Sequence, residues 1–526
     1  MPTVHSRRVP AAFITSASVL ACAVASAFTG AARAGDTVHT TYAVTQDWGS
    51  GYQAAFTLTN NAAYAIADWT IAFDAPWAIT DLWGARVQSH VGTHYVLAHA
   101  TTDDPNLAPG QMLSIGWIGA PGSPALPLNA TLNGTPIALN GDSPAPPPPV
   151  PVPAPAWPAH FFSPFVDATL WPLFDIDAYA TAHQVPFVTL GFIVAQNGNE
   201  CAGAWGGFSA YSVASGFRLG EINALRAHGG DVRVSFGGAA GHELALVCPT
   251  VESLRAAYQA AIDAYALTHI DFDIEGEAVN DLPSIHRRSA AIRLLQEAAA
   301  AQGRTLHVTL TLPVLPQGLV PTGLSVIDSA LAAGVRIDGV NIMAMDYGAS
   351  AAPDPENRMG QYAIDAATNL HAQLTQRYAA HGVPATPAQL WAIIGITPML
   401  GYNDIAGEIF HVADAVQVLQ FAQSHGVGSL SFWDANRDLP CTGSPPQPDN
   451  FCSGVVQQPY EFSHTFRAFP APAVAADING DGRVDGADLG LLLGAWGSAS
   501  PAADVDRTGH VDGADLGVLL GAWTGG

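Results

Sequence analysis

Three carboxylates alternate with apolar residues in Ile270-Asp271-Phe272-Asp273-Ile274-Glu275. Alternation of this kind is strand periodicity, which puts Asp271, Asp273 and Glu275 on one face, successive ones about 6.6 Å apart. Like charges that close raise at least one pKa, and a carboxylic acid kept protonated near neutral pH can serve as a general acid. The same pattern also suits an exposed strand face or a loose cation site. What surrounds the run decides between these readings.

The surrounding elements alternate between strand-like and helix-like runs. Strands are predicted at 161–166, 187–194, 232–236, 270–275, 306–312, 339–345, 390–397 and 429–433, with helices such as 254–265, 285–301, 363–381 and 413–424 between them. Eight such units over some 300 residues predict a (β/α)8 TIM barrel spanning 159–468, in which chemistry gathers where the strands end.

Four motifs then fall in order on four of these strands. They are Ser235-Phe-Gly-Gly238, Thr268-His-Ile-Asp271-Phe-Asp273-Ile-Glu275, Asn341-Ile-Met343-Ala-Met-Asp346-Tyr347 and Ser431-Phe-Trp433-Asp-Ala-Asn-Arg437-Asp438. Together they resemble glycoside hydrolase family 18, the chitinases. Cys201-Ala-Gly-Ala-Trp205 and Thr397-Pro-Met-Leu-Gly-Tyr-Asn403-Asp404 resemble its chitinase D-like branch, and Trp205 and Asn403 are taken with it as substrate-binding residues. The resemblance implies roles. Glu275 is the acid and then the base of a substrate-assisted, retaining reaction. Asp273 holds the acetamido N–H, Asp271 sets the charge and orientation of Asp273, and Asp346 and Tyr347 position the acetamido group. Trp433 floors the subsite and Met343 lines it. Two departures stand out: Thr268 replaces the first Asp of the signature, and Met345 occupies the place of the family tyrosine.

From 36 to 140 the chain reads as short strands with no sustained helical period, a β-sandwich. This region holds Trp48, Trp69, Trp77, Trp83 and Trp117, more than a core of this size needs. Spare indoles on a sheet face stack against sugar rings. Trp48-Gly-Ser-Gly-Tyr52, Trp69-Thr-Ile-Ala-Phe73, Leu82-Trp83, Leu107-Ala-Pro-Gly110 and Leu132-Asn-Gly-Thr135 resemble a family 2 carbohydrate-binding module. Trp48 and Trp83 match two of its binding tryptophans, while the third position falls near Asp103. Trp69 is expected in the core. Residues 143–158, rich in Pro, Ala and Val, read as an extended polyproline-type linker.

Near the C-terminus, 475–526, an acidic twelve-residue pattern occurs twice. Its first copy offers Asp477, Asn479, Asp481, Arg483, Asp485 and Asp488; its second offers Asp504, Asp506, Thr508, His510, Asp512 and Asp515. Oxygen donors at positions 1, 3, 5, 9 and 12, with a backbone carbonyl at 7, give the spacing of an EF-hand-type calcium loop. Two loop–helix units in tandem resemble a type I dockerin, a small α-helical domain, which implies structural Ca2+ and a cohesin-bearing scaffold as partner.

Composition sets outer limits. The 526 residues carry a net charge of −25, and all 19 basic residues are Arg. An acidic chain without a basic patch argues against nucleic acid and anionic membranes. Residues 1–34 read as a secretion signal: Arg7-Arg8, an apolar stretch, then Ala32-Arg-Ala34. Export makes Cys201, Cys248, Cys441 and Cys452 disulfide candidates, with 201–248 and 441–452 favoured among three connectivities. The reading is therefore a secreted, multidomain chitinase that needs no catalytic cofactor. An endo-β-N-acetylglucosaminidase and a non-catalytic chitin-binding lectin are its alternatives.

Overall fold

Period-two hydrophobicity builds the N-terminal third. The computed structural model describes residues 37–100, 106–122, 124–146, 150–443, 447–469, 476–479, 484–498, 500, 503–506 and 508–523. The predicted leader and Asp103 lie outside them. Strand Tyr52–Asn60 alternates buried and half-buried residues along its whole length. It sits in a sheet ordered Gly141–Pro144, Thr37–Asp47, Tyr52–Asn60, Met112–Ala120, Ala78–Trp83. A second sheet is ordered Arg86–Val91, His94–Ala98, Thr70–Asp74, Leu128–Leu132, Thr135–Pro136. Trp69, Trp77 and Trp117 are buried in the sandwich core, while Trp48 and Trp83 stay 50% and 44% exposed. Trp69 in the core and Trp48 and Trp83 at the surface lie where the sequence predicts, and Trp77 and Trp117 join the core.

The linker departs from expectation. Gly141–Pro144 is an edge strand paired with Thr37–Thr40. The Val152 amide donates to Asn223 Oδ1 at 2.7 Å, and Arg226 Nη1 donates to the Val152 carbonyl. Trp157 Nε1 donates to Asp231 Oδ2 and its ring stacks on His269. Proline leaves carbonyls free to accept, and an Arg and an Asn of helix Leu219–Ala227 take them up. Residues 150–157 are docked rather than a free spacer.

Beyond Trp157 lies a curled parallel sheet. Its strands run Phe187–Gln196, Asp231–Gly237, His269–Asp273, His307–Pro313, Gly339–Ala344, Ile394–Pro398 and Ser429–Leu430, each paired in parallel with the next. The sheet's two ends are successive pieces of one segment: Phe161–Phe162 pairs with Ser429–Leu430, and Phe165–Asp167 pairs with Phe187–Gln196. Amphipathic helices such as Val251–Tyr265, Leu282–Ala301, Met359–Ala380 and Val412–His425 pack their apolar faces on it. Strand Asp231–Gly237 is buried at every position, as expected of a parallel strand covered on both faces. Disulfides join Cys201 to Cys248 and Cys441 to Cys452.

Several predicted boundaries move, the strand predicted at 429–433 ending at Leu430 and the one at 161–166 splitting into Phe161–Phe162 and Phe165–Asp167. The central strand ends at Asp273, so Glu275 sits just past it, before Gly276 at φ 55°. Leu390 belongs to helix Pro387–Trp391, whose Thr386/Gln389 capping box sets its start. At the C-terminus, helices Gly486–Gly494 and Gly513–Gly521 share a small core that includes Val484, Leu492, Val511 and Leu519. Among the described residues, no helix is long and apolar enough to cross a membrane.

Candidate active site

Where the parallel strands end, a cavity of about 660 Å³ opens. Asp273, Glu275, Met343, Met345, Asp346, Thr397, Asp404 and Trp433 line it. The aromatic floor comes from just past the last strand: Trp433, half-buried, stacks on Phe192 at 5.6 Å and leans on Phe165 at 6.1 Å.

The carboxylates sit at graded depths. Asp271 is fully buried and pairs in register with Ser235 and Thr309 of the neighbouring strands. Ser235 Oγ donates to Asp271 Oδ2 and Thr311 Oγ1 to Asp271 Oδ1, each at 2.6 Å. The chain of donors continues outward: Asn341 Nδ2 donates to Thr311 Oγ1, and Thr397 Oγ1 donates to Asn341 Oδ1. Arg233, buried two residues before Ser235, donates to Thr189 and Thr309. Burial pushes Asp271 up, while the charge of Arg233 and the two hydroxyls pull it back. Asp271 is thereby fixed in place from two sides.

Asp273 has no such support. It is 4% exposed, it faces the cavity, and its Oδ1 has no hydrogen-bond partner. Burial first, then the charges of Glu275 and Asp271, hold its carboxyl well above the usual range. Glu275 is also raised, by burial and then by the charge of Asp346. Asp346 is raised by burial, and the Ile405 amide donates to its Oδ1 at 2.9 Å. Buried acids sharing one site oppose each other's ionisation, so the cluster holds its protons to a higher pH than isolated carboxylates do.

The glycines after Ser235 permit this crowding. A Cβ on Gly237 would lie 2.1 Å from the Asp273 carbonyl oxygen, and one on Gly238 would strike the Phe192 ring. Any larger residue would push the Asp273 strand and the aromatic floor apart.

The family of the binding sandwich is given by residues 38–137, which match the cellulose binding domain model. Over the larger domain, the chain is 31% identical to the catalytic domain of a hyperthermophilic chitinase from Pyrococcus furiosus. It superposes with a TM-score of 0.53 and covers 95% of that structure and 60% of this chain. The chain belongs to the chitinase family of glycoside hydrolases. It is also 39% identical over 319 residues to a probable bifunctional chitinase/lysozyme of Escherichia coli (strain K12), covering 60% of this chain and 35% of that protein. Endochitinase 11 of Metarhizium anisopliae is 39% identical over 289 residues, 54% of each chain. The chain thus spans a third to about half the length of these two relatives.

Within this chitinase cleft the structure brings together Asp273, Glu275, Asp346, Met343 and Trp433, with Asp271 beneath them. Three expected residues lie elsewhere. Trp205 is fully buried and donates Nε1 to the Tyr265 hydroxyl at 2.8 Å, so it packs behind the sheet. Asn403 is 2% exposed and spends its Nδ2 on the Met399 and Gly401 carbonyls, shaping the turn that carries Asp404 to the cavity. Tyr347 is buried against Tyr362 rather than facing the cleft, and Met345 lines the cavity in place of the family tyrosine. The strand ends at Ala344 and Asp346 sits at φ 53°, so the chain turns there and Met345 and Asp346 face the cavity while Tyr347 does not. Thr268, at the strand's far end, hydrogen-bonds the His269 ring, so the departure there lies away from the reacting groups.

Sequence reading missed Arg233, Thr311 and Thr397. Arg233 had a signal: it is a lone charge in an apolar strand, in phase with Ser235. The two threonines look like ordinary strand residues.

On the sandwich, the Trp83 indole lies flat over Gly116, where a Cβ would sit 2.3 Å from the ring, and Trp48 covers Gly51 in the same way. In the C-terminal pair, Asp504, Asp506 and Asp515 bring carboxylate oxygens within 4.8 Å of one another. The Asp506 and Asp512 amides both donate to Asp515. Asp512 caps its helix by accepting from Ala514 instead of joining these three, as Asp485 does from Ala487. Asp488 is buried and accepts from Ile478, Asn479 and Asp485. Asp481 and Arg483 lie outside the described residues, and Thr508 donates Oγ1 to Asp506.

Proposed function

We propose that this chain is a secreted chitinase that hydrolyses β-1,4-linked N-acetylglucosamine polymers with retention, on a (β/α)8 barrel of the chitinase D-like branch. One observation carries the mechanism: Glu275, its carboxyl raised by burial and by the charge of Asp346, lines the same cavity as Trp433 and a buried Asp273 whose Oδ1 has no partner. Glu275 gives its proton to the glycosidic oxygen as the bond from that oxygen to C1 breaks. The acetamido carbonyl oxygen of the same sugar bonds to C1, forming an oxazolinium ion. Asp273, in its ionised form, accepts the acetamido N–H at Oδ1 and balances the developing positive charge. Glu275, now a carboxylate, takes a proton from the water that opens the ring. Asp271 stays fixed and keeps Asp273 raised. The end-to-end pairing of the sheet through Ser163–Phe165 supports the barrel.

In this reading Trp48 and Trp83 hold the enzyme on insoluble polysaccharide through two open indole faces. The C-terminal pair is a dockerin that binds Ca2+ and docks on a cohesin. An all-oxygen donor set at Asp504, Asp506 and Asp515 fits a hard cation, which would stabilise a domain too small to bury much core.

Colloidal chitin incubated with wild type and with Glu275→Gln tests the catalytic claim. Reducing ends should come from wild type alone; none from wild type would leave a chitin-binding lectin. Release of glycans from glycoprotein without attack on chitin would indicate the glycan-directed enzyme. Trp48→Ala and Trp83→Ala should each weaken retention on insoluble polymer by about 10-fold while leaving soluble-oligomer turnover unchanged. Equal retention would remove the binding-face claim.

A further inference from the structure

The chain leaves strand Gly339–Ala344 through a turn that is held from outside. Asp346 sits at φ 53° and Gly348 at φ 80°, both in the left-handed region. A non-glycine residue stays there only where its surroundings fix it. Glu408, which has no part in the chemistry above, supplies that support. It is 1% exposed, and each of its carboxylate oxygens accepts one backbone amide. Tyr347 donates to Oε2 at 3.0 Å, and Gly348 donates to Oε1 at 2.6 Å.

The support runs both ways. Glu408 belongs to the hairpin in which Gly401–Tyr402 and Ile409–Phe410 pair antiparallel. Inside it the Asn403 amide donates to the Glu408 carbonyl, and the Glu408 amide donates to the Ile405 carbonyl. The Ile405 amide in turn donates to Asp346 Oδ1 at 2.9 Å. One hairpin therefore grips the turn at two points. Its carboxylate holds the backbone just after Asp346, and its amide orients the Asp346 side chain, which lines the cavity. A buried carboxylate beside other acids is unfavourable unless amides satisfy it, so Glu408 is tied to this one arrangement of the turn.

We infer that Glu408 is a positioning residue: through the Tyr347 and Gly348 amides it sets the left-handed turn that holds the Asp346 carboxylate in the cavity lined by Glu275. This rests on the chitin reading of the cleft, with Glu275 as the acid, and the test separates the two. Glu275 is faced by Asp273 and Asp346; Asp346 is faced by Glu275, by Asp404 and Glu408 of the hairpin, and by Arg437 of the turn Ala435–Arg437. The charge of Asp346 helps to keep the proton on Glu275. Releasing Asp346 from its place lowers the pH at which Glu275 loses that proton. Removing the Glu408 charge without moving Asp346 does the opposite, because the two carboxylates repel and Asp346 would then ionise more readily.

The full chain is assayed for kcat/KM on soluble N-acetylglucosamine oligomers across pH, where the alkaline limb reports loss of the Glu275 proton in the free enzyme. Glu408→Gln fills the same space but turns a donor toward one of the two amides. Gly348→Ala keeps every charge, and its Cβ meets no atom within 4 Å, so it strains only the left-handed backbone. Each should lower kcat/KM by about 10-fold at the optimum and move the alkaline limb to lower pH, as Asp346→Asn does. In an Asp346→Asn background neither should move the limb further. A limb that stays in place or moves up in either variant, or that moves again in the Asp346→Asn background, overturns the positioning role. So does an Asp346→Asn limb that matches wild type. Gly348→Ala carries the test alone if Glu408→Gln does not fold. A wild type that hydrolyses no such oligomer overturns the chitin reading, and this role with it.

Discussion

Two acidic runs in this chain use the same residue type to opposite ends. On the strand, Asp271 and Asp273 are buried in parallel sheet, and Glu275 follows one step beyond it. In the C-terminal pair, Asp504, Asp506 and Asp515 lie on a turn and at a helix start, where backbone amides point at them. Burial and mutual repulsion raise the first set. The Asp512 and Asp506 amides hold Asp515 below the usual carboxylate range. Sequence spacing alone does not say whether a carboxylate gives a proton or holds a cation. The backbone it rides on decides: a strand in a closed core offers no free N–H, and a turn offers several.

The largest expected effect separates the two runs outright. Glu275→Gln keeps shape and polarity but removes the proton, so turnover of soluble chito-oligomers should fall by roughly 10²–10⁴-fold. Asp515→Ala should leave that turnover unchanged. A fall of similar size from both would mean that the runs are not distinct.

Next in size is the response to calcium. Differential scanning of the full chain should show the C-terminal transition rising when calcium replaces chelator, by about 2.7 kcal/mol at a hundredfold excess over Kd. Asp504→Ala or Asp515→Ala should remove that rise and leave the main transition in place. An identical scan with and without calcium in wild type would reduce the run to a set of helix caps, which Asp512 and Asp515 already form.

How much of this was legible in the sequence differs between the two runs. The strand pattern and the four motifs placed Asp273, Glu275, Asp346 and Trp433 at one cleft, because period two and strand order are written in hydrophobicity. The pattern extended the strand to Glu275, whereas pairing stops at Asp273, since backbone hydrogen bonding is not encoded by side-chain alternation. Tyr347 illustrates the other limit: it lies three residues past the end of strand Gly339–Ala344, beyond the turn at Asp346, where neither alternation nor a resemblance one residue out of register fixes its side. Trp205 ends the strand Glu200–Trp205 and Asn403 sits in the turn after Pro398; where each points depends on its partners, Tyr265 for the first and the Met399 and Gly401 carbonyls for the second. The docked linker was misread for a similar reason, since proline content reports stiffness and not what the carbonyls will meet.

The smallest effect is the most specific to the comparison, and it lies in pH dependence. Unfolded, Asp273 titrates near 3.9; folded, burial and the charges of Glu275 and Asp271 keep its proton on to a higher pH. Between those two values the native state binds more protons than the unfolded chain, so wild-type stability falls as pH rises and the loss is complete above the folded pKa. Asp273→Asn is neutral throughout and lacks that slope. The Tm of the catalytic domain in Asp273→Asn should therefore gain on wild type as pH is raised from about 4 toward 8, even though the variant is catalytically impaired. Stability gained with activity lost is what a carboxylate kept for chemistry rather than for folding should show. A Tm difference that stays flat over this range would mean that Asp273 ionises normally in the fold, and the strand run would then resemble the C-terminal one.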